Sequence, residues 1–166
     1  LQEQNAYPGL VNRVNAKAAK AVFLGNEYAK RYFHEGNFIV SGNPVRAKVL
    51  SGNRFQALET WNLKHNARTL FITGGSLGAR TLNEAVFNGL EAFHKAEIQL
   101  LWQCGRYYYE QFASKIKNAS HVRLLPFVEN MAEAYAAADL VVARAGAITL
   151  SELIALSKPA ILVPSP

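Results

Sequence analysis

Two short stretches carry the residue types that handle phosphate. The sequence reads Gly74–Gly75–Ser76 directly after the apolar run 69–73. It reads Ala-Gly-Ala-Ile-Thr-Leu-Ser-Glu over 145–152, directly after the apolar run 140–144. Glycine lets a backbone turn tightly and lets a ligand come close. A helix opening at such a turn offers N–H groups and the positive end of its dipole, which favour an anion, commonly a phosphate. Ser76 adds a hydroxyl that either donates to the anion or caps the helix. In the second stretch Thr149 and Ser151 add hydroxyl donors after Gly146, and Glu152 sets an acceptor on the first turns, suited to a pair of ribose hydroxyls. Taken alone, each turn is equally an ordinary strand–helix connection, and Glu152 an exposed acid favoured by the helix dipole.

The elements that must position these turns follow from periodicity. Apolar runs rich in Val, Ile, Leu and Phe occupy 21–25, 37–42, 69–74, 98–105, 121–127, 140–144 and 159–164. Runs apolar on both faces suit a parallel sheet covered on both sides. Helical patterns lie between them. Over 77–93, Leu82, Ala85, Val86, Leu90 and Phe93 fall on one stripe, and further helices are expected over 130–139 and 147–157. Strand–helix repetition predicts an α/β fold, a Rossmann-like parallel sheet with right-handed crossovers. The Gly-, Asn-, Pro- and Ser-containing stretch 41–54 interrupts the rhythm and reads as a linker. The expected division is therefore 1–43 as the end of one domain, 44–53 as the connection, and 54–166 as part of a second.

In open α/β sheets ligands bind outside the carboxyl ends of the strands, so two glycine turns after parallel strands point to one crevice and to a nucleoside diphosphate. A nicotinamide fingerprint is a poor match, because the third position of the G-x-G-x-x-G pattern is Ser76 and the next strand ends at Gln103–Cys104–Gly105 with no acid placed there to hold a ribose. No G-K-[ST] occurs, so a Walker-type loop is excluded.

Bulk properties set further bounds. The chain has 166 residues, 50% of them hydrophobic, and one cysteine, Cys104, so an internal disulfide is impossible. No apolar run reaches the roughly 18–20 residues of a membrane span, and the four histidines show no metal-ligand spacing. Of the net charge of +6, most sits in residues 1–54, where eight Lys and Arg face three acids. That basic third suits anionic lipid, nucleic acid or a phosphorylated ligand, or is simply a solvated face. Trp61, Trp102, Cys104 and Tyr107–Tyr109 are expected to serve packing. The chain opens at Leu1, and its only methionine is Met131. It ends where an apolar strand finishes, and both features read as marks of a fragment.

Five blocks in order, at 3–13, 42–46, 74–80, 126–152 and 159–166, resemble the MurG family of bacterial peptidoglycan glycosyltransferases. The resemblance implies GT-B architecture, this chain holding the end of the N-terminal, acceptor-side domain and most of the C-terminal, donor-binding domain. It implies transfer of N-acetylglucosamine from UDP-N-acetylglucosamine to the C4 hydroxyl of lipid I, with inversion, giving lipid II. By the family's pattern Asn5 touches the sugar, Arg46 and Ser76 lie by the nucleotide, and Val128 meets the uracil. The run Ala147, Ile148, Thr149, Leu150, Ser151 and Glu152 holds phosphates and ribose, and Gly74, Gly75 and Gly146 form the phosphate turns. No cofactor or essential metal is implied. The implied partners are the UDP-sugar donor, the undecaprenyl-linked acceptor and an anionic membrane touched peripherally on the cytoplasmic face of the bacterial inner membrane, with no nucleic acid.

The sequence also departs from the family. Gln2 stands where the family usually has His. The family's N-terminal glycine-rich loops and the segment that supplies a donor-sugar Gln have no counterpart here, and no catalytic base is assigned. Two alternatives are another GT-B glycolipid glycosyltransferase and a stand-alone UDP-sugar-binding subunit of a split enzyme. The first block and the 42–46 block favour the MurG family over the former.

Overall fold

The structure, a computed structural model, describes residues 1–116 and 119–164; the last two residues of the 159–166 block lie outside the described residues. By internal contacts the chain divides into two units. One is Leu1–Val45 with Gly146–Glu152, the other Arg46–Ala145 with Leu153–Pro166.

In the first unit, β1 (Gln2–Glu3), β2 (Val22–Leu24) and β3 (Phe38–Val40) form a parallel sheet in that order. The strand β1 lies outside the apolar runs of the sequence, the first of which is 21–25. Two residues are too few to show a period, and the strand exists because it pairs Gln2 with Phe23 and Glu3 with Leu24. The helix α1 (Leu10–Asn15) follows it. A 3-10 turn over Glu27–Tyr32 is capped by Asn26, whose side chain accepts the Tyr28 N–H at 2.8 Å. Ala16, Val22, Leu24, Ala29 and Phe33 make this unit's core.

The second unit is a five-stranded parallel sheet of β4 (Arg68–Thr73), β5 (Ile98–Gln103), β6 (Val122–Leu125), β7 (Leu140–Arg144) and β8 (Ala160–Val163), ordered β6-β5-β4-β7-β8. The period-2 alternation sends Phe71, Leu101, Val141 and Ala143 to one face, with Val128 and Tyr135. Leu70, Ile72, Leu100, Trp102 and Val122 go to the other, with Leu82, Val86 and Phe112. Both faces of β4, β5 and β7 are covered, which is why they read as near-continuous apolar runs, whereas the edge strand β8 is largely exposed.

The helices are α2 (Arg54–Thr60), α3 (Arg80–Asn88), α4 (Leu90–Lys95), α5 (Tyr109–Ala113), α6 (Met131–Ala137) and α7 (Ala147–Ala155). The single helix expected over 77–93 is two. Gly89 ends α3, its N–H donating to the Ala85 and Val86 carbonyls, and α4 starts afresh at Leu90. A glycine inside a helix is costly relative to alanine, and breaking there still lets Leu90 and Phe93 pack on the core. Within 44–53, read from sequence as linker, Ala47–Ser51 is a 3-10 turn whose Val49 is 3% exposed in the core. Among the described residues no helix is long and apolar enough to cross a membrane.

Candidate functional site

The chain leaves β4, adds β5 and β6 on one side, and returns to place β7 and β8 on the other. The order of strands therefore reverses between β4 and β7, which pair directly as Thr73↔Ala143 at their carboxyl ends. A crevice outside the carboxyl ends at such a switch point is the usual ligand position in open α/β sheets. The first glycine turn leaves β4 there, and β7 reaches the second through Ala145.

The first turn is tighter than sequence suggests. Gly75 has φ +82° and Gly78 φ +79°, the left-handed region that glycine enters without strain. The N–H of Gly75 donates to Thr73 Oγ1 at 3.2 Å, and that of Gly78 to the Gly75 carbonyl at 3.1 Å. Two amides expected for an anion are thus already used. The helix does not open at 77–78 but at Arg80, after Ala79 as N-cap, so Ser76 does not cap it. Ser76 is exposed beside Leu77, which is 82% exposed.

A buried side chain that motif reading passed over organises this turn. Gln103, 3% exposed at the end of β5, donates from Nε2 to Thr73 Oγ1 at 3.1 Å and to the Gly75 carbonyl at 2.9 Å. Its Oε1 accepts the Val128 N–H at 2.8 Å. Gly75 and Val128 are therefore brought together through one amide. The available signal was a polar residue closing an apolar strand, since buried amides persist only when hydrogen-bonded.

A second amide supports the same end of the sheet. Asn83, fully buried on α3, donates to the Cys104 carbonyl at 2.8 Å and accepts the Trp102 indole N–H at 3.0 Å. Trp102 and Cys104 are 0% exposed, so both pack as expected. Tyr108 and Tyr109 pack against the core, whereas Tyr107 is 86% exposed and corrects the expectation for it. Burial pushes the Cys104 thiol up to about 11.

The remaining candidates fall in both units. Arg46 is exposed in the second unit, where its carbonyl accepts the Val49 N–H at 2.9 Å, and Val128 is 2% exposed. In the first unit α7 begins at Ala147, and the Gly146 carbonyl accepts the Leu150 N–H at 2.9 Å. Ile148, Thr149 and Leu150 are half-buried there. The Ser151 hydroxyl donates back to the Ala147 carbonyl at 2.9 Å, so its proton is committed within the helix. Glu152 is 4% exposed, which excludes the reading of it as an exposed acid.

Asn5 is exposed but its backbone is fixed. The Glu3 carboxylate, 3% exposed, accepts the Asn5 N–H, the Gly9 N–H and the Asn12 side-chain amide, each at 2.9 Å. Burial by itself raises the pKa of Glu3, but the donors from Asn12, Asn5 and Gly9 outweigh it and hold the carboxyl below its ordinary value.

Residues 69–166 match the glycosyltransferase family 28 C-terminal domain. The chain belongs to glycosyltransferase family 28. Over its whole length it is 42% identical to the UDP-N-acetylglucosamine--N-acetylmuramyl-(pentapeptide) pyrophosphoryl-undecaprenol N-acetylglucosamine transferase of Cytophaga hutchinsonii, covering 45% of that protein. It is 38% identical to the enzyme of the same name from Flavobacterium psychrophilum, covering 46% of it. The chain thus spans about half the length of the relatives it matches. Among solved structures, Acinetobacter baumannii MurG superposes with TM-score 0.67 at 30% identity, over 99% of this chain and 45% of that one. Sucrose-phosphate synthase of Thermosynechococcus elongatus, at 17% identity, shares the fold alone, with TM-score 0.57 over 92% of this chain and 43% of that one. The architecture is the Rossmann-like, GT-B kind expected for a family 28 chain.

Proposed function

We propose that this chain carries the donor-nucleotide part of an inverting N-acetylglucosaminyltransferase of family 28, one that moves N-acetylglucosamine from UDP-N-acetylglucosamine to lipid I. The observation that carries this reading is the strand reversal between β4 and β7, with a glycine turn leaving β4 at the switch point. The names of the relatives supply donor and acceptor. Contact with an anionic membrane surface at the cytoplasmic face belongs to the same reading, supported by the basic first third of the chain.

The domain division belongs to the proposal as well: residues 1–43 end the acceptor-side domain, 44–53 connect, and 54–166 bind the donor. Val128 meets the uracil. Glu152 accepts from the ribose hydroxyls. The Gly74–Gly75 turn and the start of α7 from Gly146 through Ser151 face the phosphates, Arg46 and Ser76 lie by the nucleotide, and Asn5 touches the donor sugar. The reaction is one displacement at the anomeric carbon. The acceptor C4 oxygen forms the new bond, the bond to the UDP β-phosphate oxygen breaks, and the acceptor hydroxyl proton passes to a base. Negative charge grows on the departing UDP. Fixed donors aimed at it lower the barrier, a single one contributing ~10²–10³ in rate.

The test is calorimetric titration of the chain with UDP and with NADH, repeated on Glu152→Ala. UDP binds, NADH does not, and Glu152→Ala weakens UDP on the order of 10–100-fold, the worth of hydrogen bonds to one charged group. Binding of NADH, or no binding of UDP, overturns the reading.

A further inference from the structure

We propose that Gln103 is the positioning residue that locks the base-reading and phosphate-facing halves of the nucleotide site into one geometry, so that it sets uridine selectivity as well as affinity. The inference rests on the donor-nucleotide reading above and adds a residue and a division of labour to it.

Both ends of the side chain are used, and they face different segments. The Nε2 end holds the glycine turn through Thr73 Oγ1 and the Gly75 carbonyl, at 3.1 and 2.9 Å. The Oε1 end holds the Val128 N–H at 2.8 Å. A bond from the Gly75 N–H to the same Thr73 hydroxyl closes a small ring of contacts around the turn. The amide is 3% exposed and Val128 2% exposed, so water does not substitute for either bond. An amide cannot rotate one end without the other, so the Val128 backbone and the Gly75 carbonyl have a fixed relation. A nucleoside diphosphate is flexible about its glycosidic, C4′–C5′ and phosphate torsions, so contact points held in a fixed relation select one conformer and read base and phosphates together.

The neighbouring backbone allows little slack for relaxation. A Cβ on Gly78 would stand 2.0 Å from the Cys104 carbonyl oxygen, and one on Gly105 would stand 2.4 Å from the Leu77 carbonyl oxygen. The turn after β4 and the turn after β5 thus touch backbone to backbone, and Asn83 fixes the second of them through the Cys104 carbonyl. Gln103 is the link from this packed pair to the loop that carries Val128.

Two substitutions separate the ends. Gln103→Glu keeps an acceptor toward the Val128 N–H and loses the donor toward Gly75. Gln103→Met keeps the shape and loses both. Affinities for UDP and ADP are measured by calorimetry on the intact chain, with near-UV circular dichroism to verify the fold. Gln103→Met is expected to weaken UDP at least tenfold and to bring the UDP-to-ADP preference toward one. Gln103→Glu is expected to weaken UDP and to lower the UDP-to-ADP ratio as well, because the link is open at its Gly75 end.

A folded Gln103→Met that keeps the UDP-to-ADP ratio overturns the proposal, whether or not its affinity falls, because softening of the fold lowers both ligands together. If Gln103→Met does not fold, Gln103→Glu decides alone: a UDP-to-ADP ratio lowered at least threefold supports the proposal and a kept ratio overturns it. An unsubstituted chain that binds no UDP, or binds ADP equally well, removes the donor-nucleotide reading itself and is thereby told apart from failure of the Gln103 role.

Discussion

Glu3 and Asn12, nine positions apart, meet through a 2.9 Å hydrogen bond from the Asn12 amide to Glu3 Oε2, while the other carboxylate oxygen takes the Asn5 N–H. This carboxylate shapes the loop that presents Asn5, and its pKa is held below the ordinary value by those donors against the opposing effect of burial. A depressed carboxylate contributes stability that is fully present above its unfolded pKa and is lost as pH falls through the folded one. Urea midpoints measured downward from neutral pH should therefore fall below about pH 4–5, and Glu3→Gln should flatten that acid limb. Glu3→Ala should cost on the order of 2–3 kcal/mol at neutral pH by stranding the Gly9 and Asn12 donors. An acid limb unchanged in Glu3→Gln would sink this account.

Gly78→Ala tests the backbone contact beneath the first turn. The new methyl would lie 2.0 Å from the Cys104 oxygen at φ +79°, so a loss of about 2 kcal/mol or more is expected from strain and overpacking together. Gly9→Ala, with nothing within 4 Å at the N-cap of α1, should cost no more than about 1 kcal/mol. Thermal unfolding of the two variants reads the contrast.

Asn83→Leu leaves the Trp102 indole N–H and the Cys104 carbonyl without partners in a fully buried setting. Each such orphan costs roughly 1–3 kcal/mol, so a loss on the order of 2–4 kcal/mol is expected. In a Trp61→Phe background, Trp102 emission reports on the site directly, and a variant as stable as its parent would contradict the network.

Cys104 is buried with its thiol pushed up to about 11. The thiolate is the reactive form, so iodoacetamide at pH 8 should leave the folded chain unmodified. Mass spectrometry along a urea series should show labelling that tracks unfolding, and rapid labelling without urea would refute the burial.

Apolar runs identified β2 to β8 to within a few residues, because the inner strands β4, β5 and β7 are covered on both faces, while β3 and β8 carry apolar side chains such as Val40 and Ile161 that stay exposed. The glycine turns were legible for a similar reason, since positive φ and close backbone approach leave few other residues acceptable. The break at Gly89 was less so, as the stripe through Leu90 and Phe93 continues past it and only tertiary packing decides whether one helix or two present it. The strand β1 exists through pairing with β2, a partner some twenty residues away.

The site divides in the same way. Motif and spacing singled out the turn residues and Glu152 as candidates, because each group is contiguous in sequence. The tertiary structure decided that Gln103 joins Gly75 to Val128 and that Asn83 holds the Cys104 carbonyl and the Trp102 indole. A hydrogen bond between residues so far apart in sequence leaves no periodic trace. Its existence depends on which strands become neighbours, and that depends on the whole sheet.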